Sequence, residues 1–132
     1  MSRFITLFRP YARILLAIWV VLIVILAIVP DIDVPRIVKG KLDIRLDYPI
    51  HFLEHTSLAI LAMVAMITNR FSRQLKRVLY ILAILFLFAV FAETIQLLIP
   101  ARSFDLHDMG LNILGSFTGT LLTMLVYRKA ID

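Results

Sequence analysis

Cysteine is absent from the 132-residue chain. That excludes a disulfide framework, a thiolate nucleophile and any Cys-ligated zinc or iron–sulfur centre. Charge is scarce as well, at 17% of residues, below the roughly 25% of a soluble domain. No Walker motif, dinucleotide fingerprint, internal repeat or low-complexity tract appears, so ATP-driven transport by this chain alone is not expected. Chemistry, if there is any, falls to His, carboxylates, Arg, Ser and Thr. What fills the chain is apolar: 61% of residues are hydrophobic and the mean hydropathy is +0.94. A soluble domain of this size buries only about two-thirds of its unfolded surface, too little to hide so much apolar area. The bilayer must be the solvent.

Four apolar stretches, about residues 14–30, 50–68, 78–99 and 109–127, each approach the ~20 residues that cross a hydrocarbon core. Backbone groups cannot go unpaired in lipid, and barrel strands would be about half as long and would alternate in polarity. The expected fold is therefore an all-α membrane protein, a four-transmembrane-helix bundle forming one domain over residues 1–132. The first stretch follows Arg3, Arg9 and Arg13, but Val29-Pro30-Asp31 offers no small-x-small cleavage site, so it reads as a retained helix. Between the first two spans, Leu42, Ile44 and Leu46 interleave with Lys41, Asp43, Arg45 and Asp47. That strand period suggests a short hairpin turning at Lys39-Gly40, or an interfacial loop, since Pro35 weakens the first strand.

The net charge of +5 needs no nucleic-acid partner once it is distributed along the chain. With both termini and the loop 69–77 on one side, that side holds nine basic residues against Asp132 alone, and the other holds five basic against eight acidic. The positive-inside rule then places both termini in the cytoplasm and the first and third loops outside. Membrane lipids are the expected surroundings.

In this topology three polar helix ends meet at the outer face. His51, Glu54 and His55 share the first turn of the second span; Glu93 and Gln96 lie near the outer end of the third; Asp105, His107 and Asp108 open the fourth, followed by Asn112, Gly115 and Gly119 on one stripe with Asp108. Glu93 lies six residues before Ile99, roughly 9 Å inside the apolar boundary, and intramembrane carboxylates usually face a bundle interior and mark function. The string His51-x-x-Glu54-His55 matches the inverted zinc-protease pattern. It would need a third ligand from His107, Asp108 or Glu93. No metal or other cofactor is expected; His51, His55 and His107 are the alternative ligand set. Gly115-x-x-x-Gly119 reads as a close-packing face, with Ser116, Thr118 and Thr120 bonding across helices. Trp19, Tyr11, Tyr80 and Tyr127 read as interfacial anchors or lipid-facing fillers.

The run Glu93-x-x-Gln96, Pro100-Ala-Arg102-Ser-Phe-Asp105-Leu-His-Asp108, Asn112-Ile-Leu-Gly115 and Gly119 resembles the signature of the VanZ-like family of small bacterial membrane proteins. The stretch from Asp47 to Phe52 is similar to that family's entry into the preceding span, although Tyr48 stands where a Lys is usual and His55 replaces what is often an aromatic residue. The resemblance implies a multi-pass protein of the bacterial cytoplasmic (inner) membrane, associated with the cell envelope and with an accessory role in resistance to the glycopeptide teicoplanin. Two functions compete. In the first, Glu93, Gln96, Arg102, Asp105, Asp108 and Asn112 form a polar pocket for an amphiphilic envelope molecule. In the second, Glu93 and His51 act as catalytic acid and base on a lipid-linked or anionic head group that Arg102 clamps. Proton or ion coupling through Glu93 is a third reading, weakened because the inner halves of all four spans lack an acid.

Overall fold

The computed structural model describes residues 2–29, 36–39, 42–45, 47–66, 71–100 and 102–128. Its elements are α1 (Ser2–Ile28), β1 (Arg36–Lys39), β2 (Leu42–Arg45), α2 (Tyr48–Met66), α3 (Phe71–Gln96) and α4 (Leu106–Arg128). Within the helices, Leu7–Ile28, Tyr48–Met66, Leu75–Gln96 and Leu106–Tyr127 are long and apolar enough to cross a membrane, at 22, 19, 22 and 22 residues. That is roughly 28–33 Å of helix, the thickness of a hydrocarbon core. The fold is the expected bundle of four such helices.

Several boundaries differ from the hydropathy reading. α1 begins at Ser2 rather than near residue 14, and α3 at Phe71 rather than near residue 78. Hydropathy marks where lipid begins, whereas a helix runs on into water wherever its residues tolerate it. Pro10 sits inside α1; its missing N–H leaves one gap in the backbone ladder. α3 stops at Gln96, and the apolar residues up to Ile99 instead form tight turns, with Leu97, Leu98 and Ile99 N–H each bonding the carbonyl three residues back at 3.0–3.1 Å. The strands β1 and β2 pair antiparallel, with Arg36 opposite Arg45 and Lys39 opposite Leu42. Gly40, of the expected Lys39-Gly40 turn, lies outside the described residues.

Side chains divide as they should for helices in lipid. Leu58, Met63, Ile81, Leu85 and Ile23 pack into the core, while Ile18 of α1, Leu87 of α3 and Phe117 and Leu121 of α4 point outward. α2 and α4 form the most extensive helix pair. Two glycines make it possible: a Cβ at Gly115 would collide with the carbonyl oxygen of Phe52, and one at Gly119 with that of Thr56. Here the two backbones touch.

The hydroxyls behave otherwise than expected. Ser116 and Thr118 donate to the carbonyls of Asn112 and Leu114, four residues back on their own helix, both at 2.9 Å. Only Ser116 also reaches across, to His55 Nδ1 at 3.4 Å, and Thr120 Oγ1 is buried with no partner among the described residues. Trp19 is no simple anchor either. Its indole N–H donates to the Glu54 carbonyl at 3.0 Å and joins α1 to α2, and Tyr127 is buried.

Candidate functional site

Glu93 is fully buried, at 0% exposure. It lies three residues from the end of α3, about 4.5 Å along the axis, shallower than an end at Ile99 would have put it. Asn112, 1% exposed on α4, donates its Nδ2–H to Glu93 Oε1 at 3.0 Å. The second carboxylate oxygen, Oε2, and the Asn112 Oδ1 are buried without a partner among the described residues. Leaving a buried acceptor unsatisfied costs about 1–3 kcal/mol, so a polar partner at either atom would be stabilising. Gln96 and Asp108 are buried close to these residues in sequence, on α3 and α4. The four side chains that helical spacing aimed at one another come from two helix ends that pack together.

A cavity of about 290 Å³ opens beside them. Its polar lining includes His51, Glu54 and His55 from α2, Glu93 and Gln96 from α3, and Asn112 from α4. Asp47, just before α2, and Arg102, half-buried in the segment between α3 and α4, also line it. Its apolar lining comes mainly from Ile23, Leu26 and Ala27 of α1, with Ile50 of α2 and Ala92 of α3. The result is a space with a charged, hydrogen-bonding side and a hydrocarbon side, open to a molecule that is itself divided in this way.

The histidines part company. His51 lines the cavity with Nε2 at 3.8 Å from Asp108 Oδ2. His55 is buried at 1% exposure beneath it, held by the Ser116 contact and with its ring centroid 6.0 Å from that of Phe88. His107 turns away. Its side chain is 79% exposed, its Nδ1 lies 3.2 Å from Asp105 Oδ1, and its ring stacks on Tyr48 at 6.2 Å. The alternative metal set His51, His55 and His107 is therefore not gathered, because one imidazole faces out of the bundle and another is packed against an aromatic ring. Among the described residues, one group of side chains does come together: Asp47, His51 and Asp108, with one donor atom from each lying within 4.8 Å of the others.

Asp105 has a local explanation. Its Oδ1 accepts the His107 backbone N–H at 2.8 Å and its carbonyl accepts that of Met109 at 3.1 Å, the geometry of an N-cap for α4.

Sequence reasoning passed over Asp47 as a site residue. It stands four residues before His51 and caps α2, its carbonyl accepting the His51 N–H at 3.0 Å; the i, i+4 spacing was the available signal. The α1 wall left no signal, because α1 beyond Arg13 is apolar on every side.

A family model described as VanZ/LLP1 matches residues 14–127. No curated protein and no solved structure matches. The chain belongs to the VanZ/LLP1 family and is a multi-pass membrane protein.

Proposed function

We propose that this VanZ/LLP1 protein binds an amphiphilic envelope molecule through its anionic head group, at the outer face of the bacterial inner membrane, with both termini in the cytoplasm. The observation that carries the reading is the mixed lining of the cavity, apolar residues of α1 together with Arg102, Gln96, Asn112 and Glu93. Acyl or prenyl carbon would lie against Ile23, Leu26 and Ala27. Arg102 would grip a phosphate or carboxylate with its planar fork, and Glu93 Oε2 and Asn112 Oδ1 would accept from hydroxyl or ammonium groups of the same head. The role is an accessory one in the envelope, and altered sensitivity to teicoplanin would be its outward sign.

Native mass spectrometry of the purified protein with phosphatidylglycerol, or with a polyprenyl phosphate, tests the reading. The wild type should retain one lipid in preference to phosphatidylcholine, and Arg102→Ala should lose that preference. Equal retention of all three lipids by the wild type would overturn it. A second reading is favoured by the approach of Asp108 to His51, which suits a carboxylate that orients an imidazole: Glu93 and His51 would then act as base and acid on the bound head group. Release of inorganic phosphate and free polyprenol from bound polyprenyl phosphate, a monoester that water can cleave in one step, by wild type and not by Glu93→Gln would mark catalysis.

A further inference from the structure

We infer that Asp47, His51 and Asp108 form a binding site for one divalent transition-metal cation at the mouth of the cavity. The three side chains come from the N-terminal ends of two different helices. Asp47 and His51 flank the first turn of α2, and Asp108 lies in the first turn of α4 at 4% exposure. One donor atom from each lies within 4.8 Å of the others. His51 Nε2 and Asp108 Oδ2, at 3.8 Å, are too far apart for a hydrogen bond. They are close to the ~3.3 Å that separates two ligands in a tetrahedral shell with bonds of about 2.0–2.1 Å. A small inward movement closes the gap around an ion.

Charge points the same way. Asp47, Glu54 and Glu93 line the cavity and Asp108 adjoins it, against one guanidinium, that of Arg102, among the described residues. Glu93, fully buried, keeps Oε2 without a hydrogen-bond partner among the described residues. Carboxylates gathered at low dielectric repel one another, and a dication among them removes that repulsion. An imidazole with two carboxylates favours zinc or manganese over calcium or magnesium, which prefer oxygen alone. Three protein ligands leave a position for water or for an oxygen of a bound anion. In that last respect the inference builds on the head-group reading above, and a cation on His51 Nε2 would take this residue out of any acid–base role.

The test uses the full-length protein in detergent, stripped with a chelator and titrated with zinc or manganese chloride in the absence of lipid. Failure here is thus separate from failure of head-group binding. We expect saturable binding of one ion per chain, weakened by about tenfold or more in Asp47→Asn and Asp108→Asn, with His107→Gln unchanged as the exposed-imidazole control. Absence of saturable binding would overturn the site, as would a loss in His107→Gln equal to that in Asp108→Asn. Should the aspartate variants not fold, X-ray absorption of the zinc-loaded wild type decides. One imidazole with oxygen donors supports the site, and two or more imidazoles refute it.

Discussion

At the scale of single residues, the bond from Asn112 to Glu93 is the contact that holds α3 to α4 at the polar end. Asn112→Ala removes the only hydrogen bond to Glu93 Oε1 from a side chain among the described residues and opens a small void. The expected loss is about 1–3 kcal/mol, read as a lower unfolding temperature in detergent. Glu93→Gln, which keeps the shape and can still accept from Asn112, should cost less. Arg102 separates two roles. Arg102→Lys keeps the charge but loses the fork, so normal folded yield with loss of head-group preference would identify a clamp, and loss of yield in Arg102→Ala and Arg102→Lys alike would identify a structural lock. Asp105 belongs to the architecture of α4: Asp105→Asn should preserve stability, whereas Asp105→Ala should cost about 1 kcal/mol through the lost cap.

Among elements, the α2–α4 contact sets the position of every polar group on those two helices. Gly119→Ala would press a methyl group against the Thr56 carbonyl and within 2.9 Å of Ala59 Cβ. Backbone cannot yield as a flexible side chain can, so the helices must separate, at a cost of about 1–3 kcal/mol or more. Gly110→Ala is the internal control, since a Cβ there meets nothing within 4 Å. It should be neutral or stabilising by up to ~1 kcal/mol. Thermal unfolding of the two variants side by side checks both expectations, and equal effects would mean that the glycine contact is not what holds the pair together.

For the whole molecule, orientation rests on the nine-to-five distribution of basic residues between the two sides. Reporter fusions at Asp132 and Gly40 should place the first in the cytoplasm and the second outside. The opposite result would move the cavity to the cytoplasmic face. Much of this architecture could be read from the chain because lipid thickness and the cost of bare backbone leave few alternatives for four apolar runs of about 20 residues. The polar stripe of Asp108 and Asn112 and the glycines beyond it were readable for the same reason: a helix in lipid cannot place such residues at random. Other features depend on direction within an element. Asp105 and His107 stand on either side of Leu106 at the start of α4, where the path of the chain decides which is a cap and which faces out. In α1 beyond Arg13, uniform apolarity conceals that Ile23 and Ala27 face a cavity while Ile18 faces outward. The bond from Trp19 to the Glu54 carbonyl has a practical consequence, because this is the sole tryptophan. One turn from Ile23 and seated on the seam between α1 and α2, it is a built-in fluorophore. Its emission should change whenever an occupant of the cavity moves the two helices relative to each other, giving an optical signal for binding without a label.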